Sequence, residues 1–168
     1  MRIYIQFIRK IIQHKFYVAL ALWELYKLYP LKPYLLVLML THDLSKLSPQ
    51  EFFGYANFFY GEGRNAEKHS TRYKLAKAEY DRAWNNHQHF NKHHWQYYLL
   101  TDYKGNIEPI PMPSIYILEM VADWIGAGKT YNSSNNVIQW YEKNESNIIL
   151  HKQTRNSLEI ILYRKLKV

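Results

Sequence analysis

Apolar positions recur at three- and four-residue intervals over most of the chain, the period of helices with one apolar face. Residues 2 to 28 place Ile5, Ile8, Ile12, Phe16, Ala19, Trp23 and Tyr26 on such a stripe, and Pro30 and Pro33 end that helix and open the next. The second helix, about 33 to 46, is mostly apolar, and His42-Asp43 sits within it. Ser48-Pro49-Gln50-Glu51 offers a cap, a proline at the first helical position and a glutamate at the third, so it predicts a capping box opening a helix through Tyr60. After the break at Gly61-Glu62-Gly63, a long helix is expected from Ala66 toward Phe90, with a continuation from Lys92 through Tyr98. Thr101 to Glu108, centred on Lys104-Gly105-Asn106, predicts a loop or small hairpin near 101-110. Pro113 opens a helix to Ile125 that Gly126-Ala127-Gly128 should close, and two further helices are expected near 134 to 144 and 154 to 166. The pattern predicts an all-α fold, a single-domain helical bundle spanning residues 1-168.

The length suits one such domain, because 168 residues can bury a core of their own. Aromatic residues make up 17% of the chain, enough to build that core largely from rings. Twenty-two Lys and Arg against 14 Asp and Glu give a formal charge of +8, which favours anionic partners: nucleotides, nucleic acid or an acidic membrane surface. The basic residues are scattered, and the densest run, Tyr163 to Val168, reads as the solvated end of a helix. The apolar run Tyr34 to Leu40 is far short of the roughly 20 residues that cross a bilayer. Charges interrupt the N-terminal apolar pattern, which therefore reads poorly as a signal peptide. A cytoplasmic protein without a membrane partner is expected.

With no cysteine in the chain, a metal would have to be held by His, Asp or Glu. The candidates run in the order His14, His42-Asp43, His87, the group His89, His93 and His94, and Asp123 in the apolar phrase Met120-Val121-Ala122-Asp123-Trp124. Imidazole nitrogen and carboxylate oxygen suit borderline and hard divalent ions, so a catalytic metal site is the reading this set supports. On an ideal helix Lys46 lies four residues from His42 and would project beside it, where it could meet a bound phosphate. His87, Asn91 and His94 form one stripe and His89 with His93 another, and periodicity does not say which turns inward. Glu119 stands four residues before Asp123, placed to support it or to act as a base. Each residue also has an ordinary reading: a lone His14 is more often a surface or hydrogen-bonded group, Asp123 alone suits a helix cap or a pair with Lys or Arg, and the histidine cluster suits a solvated basic face or a nucleic-acid contact.

The order His14, His42-Asp43, Asp123 in a helical chain resembles the HD-domain superfamily of metal-dependent phosphohydrolases. The phrases His42-Asp43-Leu44-Ser45-Lys46, Ala83-Trp84-Asn85-Asn86-His87, Asn91-Lys92-His93-His94-Trp95 and Glu119 to Trp124 are also similar to a family of bacteria and their phages that has no established substrate, over most of residues 10 to 165. The resemblance implies a bundle of the HD-domain type with one or two divalent ions, among Mn, Fe, Zn, Ni, Co and Mg. It implies His14, His42, Asp43 and Asp123 as ligands of the first ion and His87 and His94 as ligands of a second, with His93 in reserve for His94 or facing substrate. Such an ion lowers the pKa of a bound water and supplies hydroxide for attack at phosphorus, with Lys46 neutralising phosphate charge and Asp43 and Glu119 assisting. The expected activity is hydrolysis of a phosphoester in a nucleotide or other small phosphate, as a nucleotidase or phosphodiesterase. A di-iron oxygenase of the same superfamily and a non-enzymatic module that binds nucleic acid or protein are the alternatives.

Overall fold

A continuous helix of 27 residues, α1 (Arg2–Leu28), opens the computed structural model, which describes residues 1–29, 32–133 and 136–166. It is followed by α2 (Tyr34–Thr41), α3 (Pro49–Tyr60), α4 (Glu62–Asn65), α5 (Thr71–Phe90), the strands β1 (Leu99–Thr101) and β2 (Ile107–Pro109), α6 (Ser114–Tyr131), α7 (Val137–Asn144) and α8 (Lys152–Ile160). The fold is all-α, with one small antiparallel hairpin pairing Leu99 with Pro109 and Thr101 with Ile107. Its turn is held by Asp102, whose Oδ1 accepts from the backbone N–H groups of Lys104 and Asn106, and by Gly105 at φ +86°, where a side chain would be strained. Pro30, invoked to end α1, the expected helix start at 134 and the last two residues of the basic tail lie outside the described residues.

Two compact units make up the chain. The first comprises Met1–Gln13 with Asp43–Asn91, and its core is aromatic: Phe7 and Ile11 of α1 pack with Tyr55, Ala56 and Ala83, and Phe58 stacks on Tyr80 at 4.7 Å between ring centroids. The second comprises His14–His42 with Lys92–Val168, and its core is largely aliphatic, built from Val18, Leu22 and Leu25 of α1, Leu35 and Leu38 of α2, Ile117, Leu118, Met120, Val121 and Ala122 of α6, and Leu158 of α8.

Several elements depart from the expectation for identifiable reasons. The α1 stripe that carried the periodicity is not the buried one: Ile5, Ile8, Ile12, Phe16 and Trp23 are exposed, whereas Phe7, Ile11, His14, Val18, Leu22 and Leu25 face inward. A helix apolar on two sides gives a strong period whichever side turns in. The second helix stops at Thr41 instead of running to 46, because His42 is extended and Asp43 adopts the left-handed conformation at φ 56°. A 3-10 turn, Leu44–Leu47, follows, and Pro49 holds Ser48 extended. No side-chain cap closes α3, and Glu51 points away from the predicted capping box. The long helix after the Gly61 break begins at Thr71, where Ser70 Oγ accepts from Tyr73 N–H, and its expected continuation is a short 3-10 turn at Trp95–Tyr98. Gly126 does not close α6 at 125. A Cβ there would fall 2.4 Å from Val18 Cγ2, so the glycine marks a close approach to α1, and α6 continues to Tyr131 with Asn132 as its left-handed cap.

Candidate metal centre

In the second unit, His14 is carried inward by the middle of α1, His42 by the residue that ends α2, and Glu119 and Asp123 by one face of α6 at i, i+4. Lys15 fixes the end of α2 by donating from Nζ to the carbonyl oxygens of Leu40 and His42. These elements bring three of the expected ligands together. His14 Nε2 lies 2.9 Å from Asp123 Oδ1, His42 Nε2 lies 3.4 Å from the same oxygen, and the two Nε2 atoms are 3.4 Å apart. Both imidazoles are buried, and the Asp123 side chain is 14% exposed.

The opposite edge of the His42 ring faces Glu119, with Nδ1 3.0 Å from Oε1. An ionised carboxylate only accepts, so this contact puts the ring proton on Nδ1 and leaves a lone pair on Nε2. That lone pair then points at a second acceptor, Asp123 Oδ1, and at another imidazole nitrogen. Two acceptors aimed at each other in a buried setting need a positive charge between them, either a proton or a metal ion. The donor set fits a divalent cation: imidazole nitrogens and a carboxylate oxygen within 4.8 Å of one another, with a carboxylate behind the ring to hold its orientation. His93 joins from the other side, its Nδ1 3.4 Å from Glu119 Oε1 and its ring 4.5 Å from that of His42, so His42, His93 and Glu119 also offer atoms that could hold an ion.

The carboxylates respond to these neighbours. In the metal-free centre protons fill the place of the cation: burial pushes Asp123 up, but protonated His14 and His42 beside it outweigh the burial and hold the group well below the ordinary carboxylate value. For Glu119 burial acts upward in the same way, and the bonds from His42 and His93 bring it below its ordinary value.

The first unit carries a relay of the same kind. His87, near the end of α5, is buried with Nδ1 2.8 Å from Glu51 Oε2, while its Nε2 lies 3.4 Å from Asp43 Oδ1. Asp43 Oδ2 accepts a short bond from Lys46 Nζ at i, i+3. Burial lowers the His87 pKa, and the neighbouring Asp43 and Glu51 only partly restore it. Glu51 also accepts from Asn86 Nδ2 at 2.9 Å and Ser45 Oγ at 3.1 Å, and Asn91 Nδ2 donates to Ser45 Oγ at 2.8 Å. Lys46 therefore does not project beside His42 along a helix. The left-handed turn at Asp43 places it over its own aspartate, with Nζ 6.0 Å from the centre of the Tyr55 ring.

The two-stripe choice for the histidine cluster dissolves because α5 ends at Phe90. Beyond that point His93 and His94 both turn inward, with rings 4.3 Å apart, and His89 alone is exposed. His94 belongs to the second unit, whereas His87 belongs to the first. Sequence reasoning missed Glu51 and Ser45 as polar partners, and it placed Asn91 on the His87 stripe without giving it a role. The capping-box spelling explained Glu51 well enough to conceal it, and the other two carry no chemistry outside their fold.

A family model described as a family of unknown function (DUF5662) matches residues 4–164. No curated protein and no solved structure matches the chain. The chain belongs to the DUF5662 family.

Proposed function

We propose that this DUF5662 protein is a metal-dependent phosphohydrolase acting on a nucleotide or another small phosphoester. The observation that carries the metal is the convergence of His14, His42 and Asp123 in the second unit, with Glu119 behind His42. These residues would hold the ion. When bound there, a divalent ion lowers the pKa of a coordinated water and polarises a phosphoryl oxygen. Glu119 orients the His42 ring and keeps its proton on Nδ1, and the depressed pKa of Asp123 keeps that ligand ionised across the neutral range. In the first unit, His87 and Asp43 offer the same nitrogen and oxygen pair, and Lys46 brings the cation that would neutralise phosphate charge. The basic balance of the chain, +8, supports an anionic substrate.

The test begins with protein purified without chelator. Elemental analysis should give at least one divalent ion per chain in the wild type and a large loss in His42→Ala and Asp123→Ala that retain the helical circular dichroism signal. Phosphate release is then screened over nucleotides and cyclic dinucleotides with the native ion. Wild-type protein that stays metal-free after incubation with each of the six candidate ions would sink the reading. Loaded protein that consumes dioxygen and releases no phosphate would replace hydrolysis with oxygenase chemistry.

A further inference from the structure

Helix α1 carries an apolar face that no element covers among the described residues. Ile5, Ile8, Ile12, Phe16 and Trp23 follow one another at helical spacing, with Ile12 63%, Phe16 58% and Trp23 43% exposed, and Leu20 lies on their border. Scattered exposed apolar residues are ordinary, but a stripe running along a helix of 27 residues is a contiguous surface. The apolar character of α1 is therefore double: one face makes the core and the other meets solvent.

Charge decides what can cover that second face. α1 carries five basic residues, Arg2, Arg9, Lys10, Lys15 and Lys27, and a single acid, Glu24, which is already bonded to Lys27 at 2.8 Å. Arg2, Arg9 and Lys27 are separated by multiples of the helical repeat and fall on one border of the stripe. A second copy of the helix would suit this surface badly. Antiparallel pairing centred between Ile12 and Phe16 brings Arg2 toward Lys27, and parallel pairing sets Arg9 against Arg9, with no acid spare on either helix. An anionic lipid surface meets both requirements, because it accepts the apolar side chains at the headgroup boundary and the basic border at its phosphates. No described helix is long and apolar enough to cross a membrane, so the contact lies in the plane of the interface.

We propose that the outward face of α1 docks the protein on anionic membranes. The stripe inserts Ile5, Ile8, Ile12, Phe16 and Trp23 to headgroup depth, and Arg2 and Arg9 contact lipid phosphates. Such docking runs against the sequence-based expectation of a protein without a membrane partner, and it stands independently of any catalytic reading.

The experiment is co-sedimentation of the full chain with phosphatidylcholine vesicles, with and without phosphatidylserine. Wild type is expected to bind only the phosphatidylserine vesicles and to be released by high salt. Arg2→Gln/Arg9→Gln should bind about twenty-five-fold more weakly, on about a fivefold change per basic side chain, and Ile12→Ser/Phe16→Ser should lose binding. Both variants should keep the wild-type circular dichroism spectrum, because all four positions face solvent. If the serine variant misfolds, the arginine variant and the salt dependence still decide. Wild type that ignores phosphatidylserine overturns the proposal. So does a wild-type dimer in sedimentation equilibrium that Ile12→Ser/Phe16→Ser converts to monomer, since the stripe would then be a self-association face.

Discussion

Glu119 does for His42 what Glu51 does for His87: each accepts from Nδ1 and leaves Nε2 to face an aspartate. Carboxylates in that position raise ligand basicity and fix ring orientation, so their loss would weaken an ion held at Nε2 on the far edge of the ring. Glu119→Gln is expected to weaken metal affinity by about 10- to 100-fold while the protein stays folded. Competition titration against a chelator measures this, and an unchanged affinity would leave Glu119 a purely structural residue. Glu51 has the heavier structural load, since Asn86, Ser45 and His87 all depend on it. Glu51→Ala should cost about 3 kcal/mol in denaturant unfolding, because removing one partner strands several buried polar groups. At this scale the sequence disclosed the candidate ligand types and Glu119 as a support, though for Asp123 and not for His42, and it did not disclose Glu51. His42-Asp43 and Asp123 stand out in apolar surroundings, whereas Ser-Pro-Gln-Glu spells a helix start whether or not its glutamate turns inward.

Helix ends, more than helix interiors, determine which side chains meet. The break after Thr41 gives Asp43 its left-handed turn and gives Lys46 to Asp43, and the end of α5 at Phe90 frees both His93 and His94 from a single stripe. Periodicity located α1, α3 and the hairpin closely because each has proline, glycine or a sustained apolar repeat at its limits. It could not choose a face for α1, where both sides are apolar, and it ended α6 too early, because the packing of α6 against α1 overrides the poor helix propensity of glycine. The contact at Gly126 is testable through the element it joins. Gly126→Val must displace Val18 or part of α1, and it should destabilise the protein by about 1 to 3 kcal/mol. Thermal unfolding checks this, and a variant as stable as wild type would mean that the α1–α6 contact yields easily.

At the scale of the whole molecule, the buried titratable groups act together on acidification of the metal-free protein. Asp123 is held well below its ordinary value of 3.8 when folded, so the unfolded chain binds its proton first as pH falls. The stability it contributes is present above about pH 4 and is lost as pH drops through the folded value. His87 works in the same direction from a higher starting point. Its folded pKa lies below the ordinary 6.5, so the unfolded chain takes up that proton preferentially from about pH 6.5 downward. The net charge of +8 adds to both, since every carboxylate neutralised increases repulsion in the compact state. The melting temperature of chelated protein should therefore begin to fall near pH 6.5 and fall steeply below about pH 4. Asp123→Asn should flatten the steep limb, because the amide has no proton to take up in that range. Bound metal should hold the same limb at lower pH, since protons must then displace the ion from its ligands. A melting temperature that rises between pH 6.5 and 4 in the chelated protein would contradict the charge state assigned to His87, and an Asp123→Asn variant that keeps the steep limb below about pH 4 would contradict that of Asp123.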